Sequence, residues 1–574
     1  MKASLFIIII IMLAPSFHAS GSAFSPATEE DLIIKALAEE LDYSMQNLAM
    51  PDGTKPYFIS YAITDSKTIS IRAELGTLNV DDAEHSRTLD VDVRVGDYPL
   101  DNTHKIRGDD FSRFARFFIT SSADVSLEDN LLAIKQAVWQ ITDQEFKNAV
   151  ETYQKVLTNL KTKVEEEDQS ADFSKQELRI YFEPEIKSSL NRAAWADRLR
   201  KVSALAQNFP LVYNSSVSLS AEVNNQYFVN SEGTRIQTGQ TLFRVHVNAE
   251  TKAEDGMELS QDFLFNASTE EGLPSDEEIS KAFQKVIDQV IALRKAPIIE
   301  PYIGPAILVN RASAVFFHEI FGHRIEGHRQ KDVEEGQTFT KKLGEPILPE
   351  FLHVIDDPTL AEFDGEDLRG YYKFDDEGVA AERVVLVENG VLKNFLMSRS
   401  PIEGFSKSNG HGRRSPGSKV VSRMGNTMIE SSKTVSFDEL RQLLIEECDR
   451  TQKPYGLLFE DISGGFTGTG RAGAQVFKVL PKVVYKIFAD GRPDELVRGV
   501  DIVGTPLTCF SQITYTGNDP AVFNGTCGAE SGQVPVSGIS PSILVAQMEV
   551  EKQSRDQDRP PILPPPISEK QGKN

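Results

Sequence analysis

The sequence predicts an α+β protein of two domains. An N-terminal domain of strands and helices precedes a C-terminal strand-rich domain, antiparallel-sheet or barrel-like, that contains one strongly apolar helix. Three observations predict this. At 574 residues, 40% apolar and 25% charged, the chain is long enough for two sizeable cores of ordinary globular composition. The order strands-then-helix occurs twice before Pro297 without any residue-level repeat, and beyond residue 330 the signals are mainly those of strands.

In chain order, Leu32, Ala36, Leu41 and Met45 suit one face of a first helix. Tyr57-Ile59-Tyr61-Ile63, Ile69-Ile71-Ala73-Leu75 and Leu89-Val91-Val93-Val95 alternate with polar residues as three half-buried strands of an antiparallel meander. Leu131, Ile134, Val138 and Ile141 share a face of a long helix within about Leu127 to Val164, whose acidic end, Glu165 to Asp168, reads as a solvated turn. Further strands follow at Val217 to Val223, Gln226 to Val229 and Phe243 to Val247, with a turn at Asn230-Ser231-Glu232-Gly233. The capping box Ser275-x-x-Glu278 opens a helix through Ile279, Phe283, Ile287 and Val290, and Pro297 to Pro305 reads as a connector.

In the second half, Val384 to Val387, Asn389-Gly390 and Val391 to Met397 predict a hairpin. Val476 to Phe488 reads as a strand ending in the turn Ala489-Asp490-Gly491. The glycines from Gly464 to Gly473 lack the Lys-Ser or Lys-Thr ending of a phosphate loop, so they predict turns or close backbone approach. The expected organisation is residues 1–23 as a signal peptide, 24–300 as the N-terminal domain, 301–552 as the C-terminal domain and 553–574 as an extended, disordered, proline-rich tail.

The signal peptide is expected from Met1-Lys2, the apolar Leu5 to Ala14 and small residues at Gly21-Ser22-Ala23. That apolar run is shorter than the roughly 20 residues a bilayer span requires, so export to the periplasm or medium is expected, without stable membrane insertion after cleavage. A net charge of −24 argues against nucleic-acid or anionic-membrane partners, which need clustered Lys and Arg. Three cysteines, Cys448, Cys509 and Cys527, are too few for a disulfide scaffold.

The chemistry concentrates between Asn310 and Gln330, where three of the nine histidines fall. Asn310 suits an N-cap, and the apolar run Ala312 to Phe317 forms a buried helix that delivers His318 and Glu319. Two histidines on a regular helix share a metal ion at i and i+4, whereas His318 and His323 stand at i and i+5, about 140° apart around the axis. Gly322 precedes His323, so the spacing demands either a π-bulge or a left-handed glycine there. With such a distortion two imidazoles hold a divalent ion and Glu319 acts as general base. Without it, this is a buried helix with structural histidines.

Cys527, in Asn524-Gly525-Thr526-Cys527-Gly528, is a candidate third ligand. It is equally a partner for Cys509 in a disulfide, and spacing leaves both open. His411, Arg413 and Arg414 are candidates to contact peptide carbonyls or a carboxylate, against a plain basic loop. His328, with Arg324, Glu326 and Arg329, reads as the exposed end of the helix. Asp375 and Asp376 read as turn residues, and His246 and His353 as structural.

The segments His318-Glu319-Ile320-Phe321-Gly322-His323, Asp375-Asp376-Glu377-Gly378, Glu388-Asn389-Gly390, Asn409-Gly410-His411-Gly412-Arg413-Arg414 and Gly525-Thr526-Cys527-Gly528 occur in that order. Together the chain resembles the TldD/PmbA family of zinc metallopeptidases in its active, TldD-type form, densely from Arg311 to Val545. The resemblance implies Zn2+ held by His318, His323 and Cys527, with Glu319 as general base on the attacking water. It also implies a dimer, with itself or with a homologous subunit, that hydrolyses unfolded peptide taken up as an added strand. The alternatives are an inactive peptide-binding subunit and a Cys527-dependent hydrolase. The export signal is a departure from a largely cytoplasmic family.

Overall fold

The computed structural model describes residues 31–106, 122–161, 168–187, 190–332, 335–336, 338–470, 477–553 and 561–567. The expected signal peptide, Glu165 to Glu167 of the acidic turn and most of the proline-rich tail lie outside the described residues.

The fold is α+β. Its N-terminal half is built on one sheet, antiparallel but for the short parallel strand Ile180–Phe182, whose main strands are far longer than the apolar patterns that predict them. Tyr57 to Ile63 and Ile69 to Ala73 are a single 19-residue strand, Pro56–Glu74, which turns at Leu75-Gly76 into Thr77–Val95. The polar stretch between the two patterns stays in the sheet because buried Asp65 accepts Arg87 Nε at 2.7 Å and pairs with His85 at 2.9 Å on the neighbouring strand. A cross-strand ion pair replaces the missing apolar pair there.

Likewise Val217 to Val223 and Gln226 to Val229 form one strand, Asn214–Asn230, next to Arg235–Lys252, which in turn pairs with Glu258–Ala267. Between these patterns, the buried Asn225 side chain ties down Ile186 through Oδ1 and Nδ2. The turn at Asn230 to Gly233 forms as expected, with Asn230 Oδ1 accepting the Glu232 and Thr234 amides and Gly233 at φ 99°.

Side chains at alternate positions of these strands bury one face of the sheet under four helices. Leu32–Asn47 and Leu131–Leu160 cover Ile59, Tyr61 and Val91, while Arg192–Ser203 and Asp276–Lys295 cover Leu219, Val245 and Val247. The capping box forms, with Ser275 and Glu278 bonded reciprocally. The opposite face, carrying Phe228, Arg244 and Asp262, meets the C-terminal half. Across that boundary fully buried Arg399 donates to the Ser174 carbonyl and to Glu232 Oε1, and Phe228 fills the space left by Gly378.

The C-terminal half holds a closed five-stranded barrel and a six-stranded sheet. The barrel runs Tyr302–Leu308, Tyr455–Thr467, Phe477–Phe488, Val500–Gly504 and Ile543–Lys552, which returns to Tyr302–Leu308. The end of the expected connector therefore already belongs to the barrel.

The sheet includes Val384–Glu388, Leu352–Asp356, Asn426–Ser431 and Gly532–Ser540, and ends at Ala521–Ala529. The predicted hairpin turns at Asn389 and Gly390, both at positive φ, but its second arm is only Val391–Leu392. Past it, Leu396 leaves the sheet to bond Ile325 and Gly327 just beyond the His323 turn, with Gly327 N donating to the Leu396 carbonyl at 2.8 Å. The helix Asn310–Ile320 packs between the barrel strands and the last two strands of this sheet, Gly532–Ser540 and Ala521–Ala529. No helix among the described residues is long and apolar enough to cross a membrane.

Candidate metal centre

The helix Asn310–Ile320 is held by burial on nearly every side, with Ala312, Val315, Phe316, Phe317 and Ile320 at most 2% exposed. Each fully buried phenylalanine contributes about 1.5–3 kcal/mol relative to exposure. Asn310 is the first helical residue, Val309 occupying the cap. Its Oδ1 still accepts one orphan amide, that of Arg311 at 2.7 Å, and its Nδ2 donates to the Asp519 carbonyl.

The helix ends neither in a π-bulge nor in a left-handed glycine. After Phe321 the chain enters a 3-10 turn, Gly322–Arg324, and Gly322 keeps a negative φ. Arg324 stabilises that break by donating from Nη1 to the Glu319 and Ile320 carbonyls, both at 3.1 Å, which the helix leaves unpaired. The glycine is required for room: a Cβ on Gly322 would stand 2.0 Å from the Met424 sulfur.

The turn brings His323 back beside His318, their ring centroids 5.1 Å apart and nearly perpendicular. Cys527, on the edge strand Ala521–Ala529, meets both. Its Sγ lies 3.2 Å from His318 Nε2 and 3.3 Å from His323 Nε2. Donor atoms of the three residues all lie within 4.8 Å of one another. Nitrogen and sulfur ligands of a tetrahedral zinc ion, about 2.1 and 2.3 Å from it, stand about 3.6 Å apart, so this donor set fits the metal with little adjustment.

Burial opposes charge on all three groups, yet the Cys527 thiol is held well below its usual range by the two imidazoles. Conversely His323 is raised to about 10 against its burial, by the Cys527 thiolate and then Glu326. Cys509 is not its partner: all three cysteines are free and buried, and burial pushes the Cys509 thiol up to about 12.

Behind the ligands lies a buried ionic network that replaces the exposed helix end expected for residues 324–329. Glu326, 0% exposed, lies 3.3 Å from His323 Nδ1 and accepts Arg329 Nε at 2.8 Å. Burial works against its charge, but His323 and Arg329 hold its carboxyl at about 2. Arg423 donates to the Cys527 carbonyl at 2.8 Å, and His328 and Arg329 both engage Glu530. Such partners orient ligands and fix their tautomers. Sequence spacing carries no signal for this network, because its members come from distant segments.

Glu319 stands beside the three ligands on the wall of a cavity of about 700 Å³ between the N-terminal sheet and the barrel. Burial pushes its carboxyl up. Gly465, in the glycine-dense stretch, makes room for it: a Cβ there would fall 2.8 Å from Glu319 Cγ.

Other predicted residues lie elsewhere. His411 is fully buried between Asn409 and Asp356; Arg413 donates to the Met424 and Pro535 carbonyls; Arg414 pairs with Asp90. None of the three lines the cavity, whose cations include Arg244, Arg311 and Arg369. Asp375 and Asp376 are turn residues, accepting the Gly412 and Arg414 amides. His246 faces Asp262, and His353 accepts the Asn389 amide.

The family profile described as the PmbA/TldA metallopeptidase C-terminal domain matches residues 302–552, which carry all of these ligands. This C-terminal region belongs to the TldD/PmbA family. A metalloprotease of Archaeoglobus fulgidus is 35% identical over 239 residues, 42% of this chain and 51% of its own. A zinc metalloprotease TldD homolog of Saccharolobus solfataricus is 26% identical over 277 residues, 46% of this chain and 57% of its own. The match thus spans about half the length of each relative. In the solved structure of TldE from Thermococcus kodakarensis the same fold covers 90% of this chain and 100% of that one, with a TM-score of 0.58 at 16% identity. Family members named as metalloproteases agree with a metal centre, and one carries zinc in its name.

Proposed function

We propose that the protein is a zinc-dependent peptidase acting on unfolded or extended peptides. The observation that carries this reading is the convergence of His318, His323 and Cys527 with Glu319 on the wall of one cavity. Zinc held by the three ligands would polarise a peptide carbonyl and lower the pKa of the attacking water.

Glu319 takes the proton of that water and delivers it to the leaving amine, a role favoured by the burial that raises its carboxyl. Glu326, through His323 Nδ1, and Arg423, through the Cys527 carbonyl, keep two ligands in place. The strand Ala521–Ala529 pairs only with Gly532–Ser540 among the described residues, so, apart from the Gly525 and Cys527 carbonyls that Arg369 and Arg423 engage, its main chain can take up a peptide by hydrogen bonds. A peptide taken up in this way would have to be extended chain, not folded protein. Assembly with itself or with a homologous subunit, and export directed by residues 1–23, belong to the same reading.

A Cys527-dependent hydrolase is the second reading, favoured by the thiolate that the two imidazoles stabilise. Hydrolysis of a fluorogenic unstructured peptide discriminates between them. Activity abolished by a chelator and restored by added zinc is the expected result. Activity that survives chelation and is lost on alkylation would transfer the role to the thiol, and binding without cleavage would make the chain a peptide-binding subunit.

A further inference from the structure

The cavity wall beside the metal centre holds two guanidinium groups that combine buried, unpartnered nitrogens with the lack of an ion pair among the described residues. Arg369 is anchored on the Cys527 strand, its backbone amide donating to Asn524 Oδ1 at 3.1 Å. Its Nη1 donates to the Gly525 carbonyl and to Thr526 Oγ1, both at 3.0 Å. Its Nε is buried with no hydrogen-bond partner. Arg244 projects from the opposing N-terminal sheet, on the strand Arg235–Lys252, and its Nε and Nη2 are likewise buried and unpartnered.

Both arginines line the cavity. Burial works against the charge of each, and Arg244 further opposes that of Arg369, whose pKa falls to about 9. None of the carboxylates lining the cavity, Asp262, Glu319, Glu460, Asp461 and Glu530, forms an ion pair with either arginine among the described residues. Asp262 accepts Lys482, Glu530 accepts Arg329, and Glu222, the carboxylate that acts on both arginines, accepts Asn224 Nδ2 without forming an ion pair. A pair of desolvated guanidiniums is a strong site for a carboxylate, which it can bind through two parallel hydrogen bonds.

We propose that Arg244 and Arg369 form a subsite for a substrate carboxylate, within about two residues of the bond to be cut. The inference rests on the peptidase reading and narrows its substrate class. Its geometry follows from Gly525, which Arg369 grips two positions before Cys527. At 3.3 Å per residue those positions lie roughly 7 Å apart along the strand. A peptide added to the open edge advances by the same rise, so the group facing Arg369 is about two residues from the one facing the metal centre. The carboxylate is either the chain's C-terminus or an Asp or Glu side chain.

The test uses full-length protein and three peptides sharing one core sequence: a free C-terminal acid, the C-terminal amide, and the amide with one Asp in place of Asn near the scissile bond. Wild type and Arg244→Gln are compared. Arg244 makes no hydrogen bond to the metal strand, so its loss leaves Cys527 in place. Wild type is expected to favour a carboxylate-bearing peptide by roughly ten- to a hundredfold, the range of a charge-assisted hydrogen bond, through KM with kcat nearly constant. Arg244→Gln should bring that ratio close to one. A gain with the free acid alone assigns the subsite to the C-terminus, and a gain with Asp alone assigns it to a side chain.

Equal handling of all three peptides by wild type would overturn the proposal, as would an unchanged ratio in the variant. Binding of the same labelled peptides to Glu319→Gln, read by fluorescence anisotropy, separates this from failure of the peptidase reading. Carboxylate-dependent affinity without cleavage in wild type would retain the subsite and remove the enzyme, whereas equal affinities would remove the subsite.

Discussion

His318 Nε2 lies 3.2 Å from Cys527 Sγ, although 209 positions separate the two residues in the chain. One comes from a helix buried between a barrel and a sheet, the other from the open edge strand of that sheet. The contact exists because the helix packs on both, and Gly538 lets it come close: a Cβ on that glycine would stand 3.1 Å from Ala314 Cβ. A metal held by the two residues would therefore tie the two layers of the C-terminal half together, and should stabilise the fold as well as supply chemistry.

Glu319→Gln keeps the shape of the side chain and removes its basicity. Metal content should remain that of wild type while peptide hydrolysis falls by about 100-fold or more, the lower end for loss of a general base. Peptide turnover with metal analysis on the same samples checks this; undiminished turnover would remove Glu319 from the mechanism.

Gly322→Ala places a methyl group 2.0 Å from the sulfur of Met424, a residue only 1% exposed and so unable to swing aside freely. Overpacking of this kind costs about 1–3 kcal/mol. The variant should lose thermal stability and bind zinc about tenfold more weakly, and Met424→Ala in the same chain should restore part of both. Thermal melts and zinc titrations provide the comparison, with failure of the double variant to recover arguing that Gly322 serves another purpose.

Much of this architecture is legible in the sequence because local chemistry and final structure agree. The Ser275 capping box, the Asn389-Gly390 turn and the apolar run ahead of His318 each specify their element within a few residues. The long N-terminal strands are only half legible, since Asp65 with Arg87, and Asn225 with Ile186, satisfy polar positions through partners distant in sequence. The i, i+5 histidine spacing correctly requires a break near Gly322. It cannot select a 3-10 turn, which depends on Arg324 capping the helix and on the bulk of Met424. Arg244 and Arg369 give no sequence signal because their meaning comes from a cavity between two halves of the chain.

Acid should weaken the contact between those halves. Burial works to raise the Asp262 carboxyl, but His246 and Lys482 hold it well below its ordinary 3.8. A depressed folded-state value contributes stability that is present above the unfolded value and is lost as pH falls below it. At neutral pH, Asp262→Asn should lower stability by about 1.5–3 kcal/mol, the worth of a charged hydrogen bond. The difference from wild type should shrink from about pH 4 towards about pH 2. Melting temperatures of both proteins across that range test this, and a difference independent of pH would mean that the Asp262 charge contributes nothing.

The metal centre itself is tested by the metal content of purified protein, wild type beside Cys527→Ser, prepared without chelators and with free thiols counted on both. About one zinc ion per wild-type chain is expected, with a sharp fall in the variant and Cys509 free in each. Wild-type protein without metal, with Cys509 and Cys527 oxidised to each other, would contradict the ligand set and leave the family resemblance as one of fold alone.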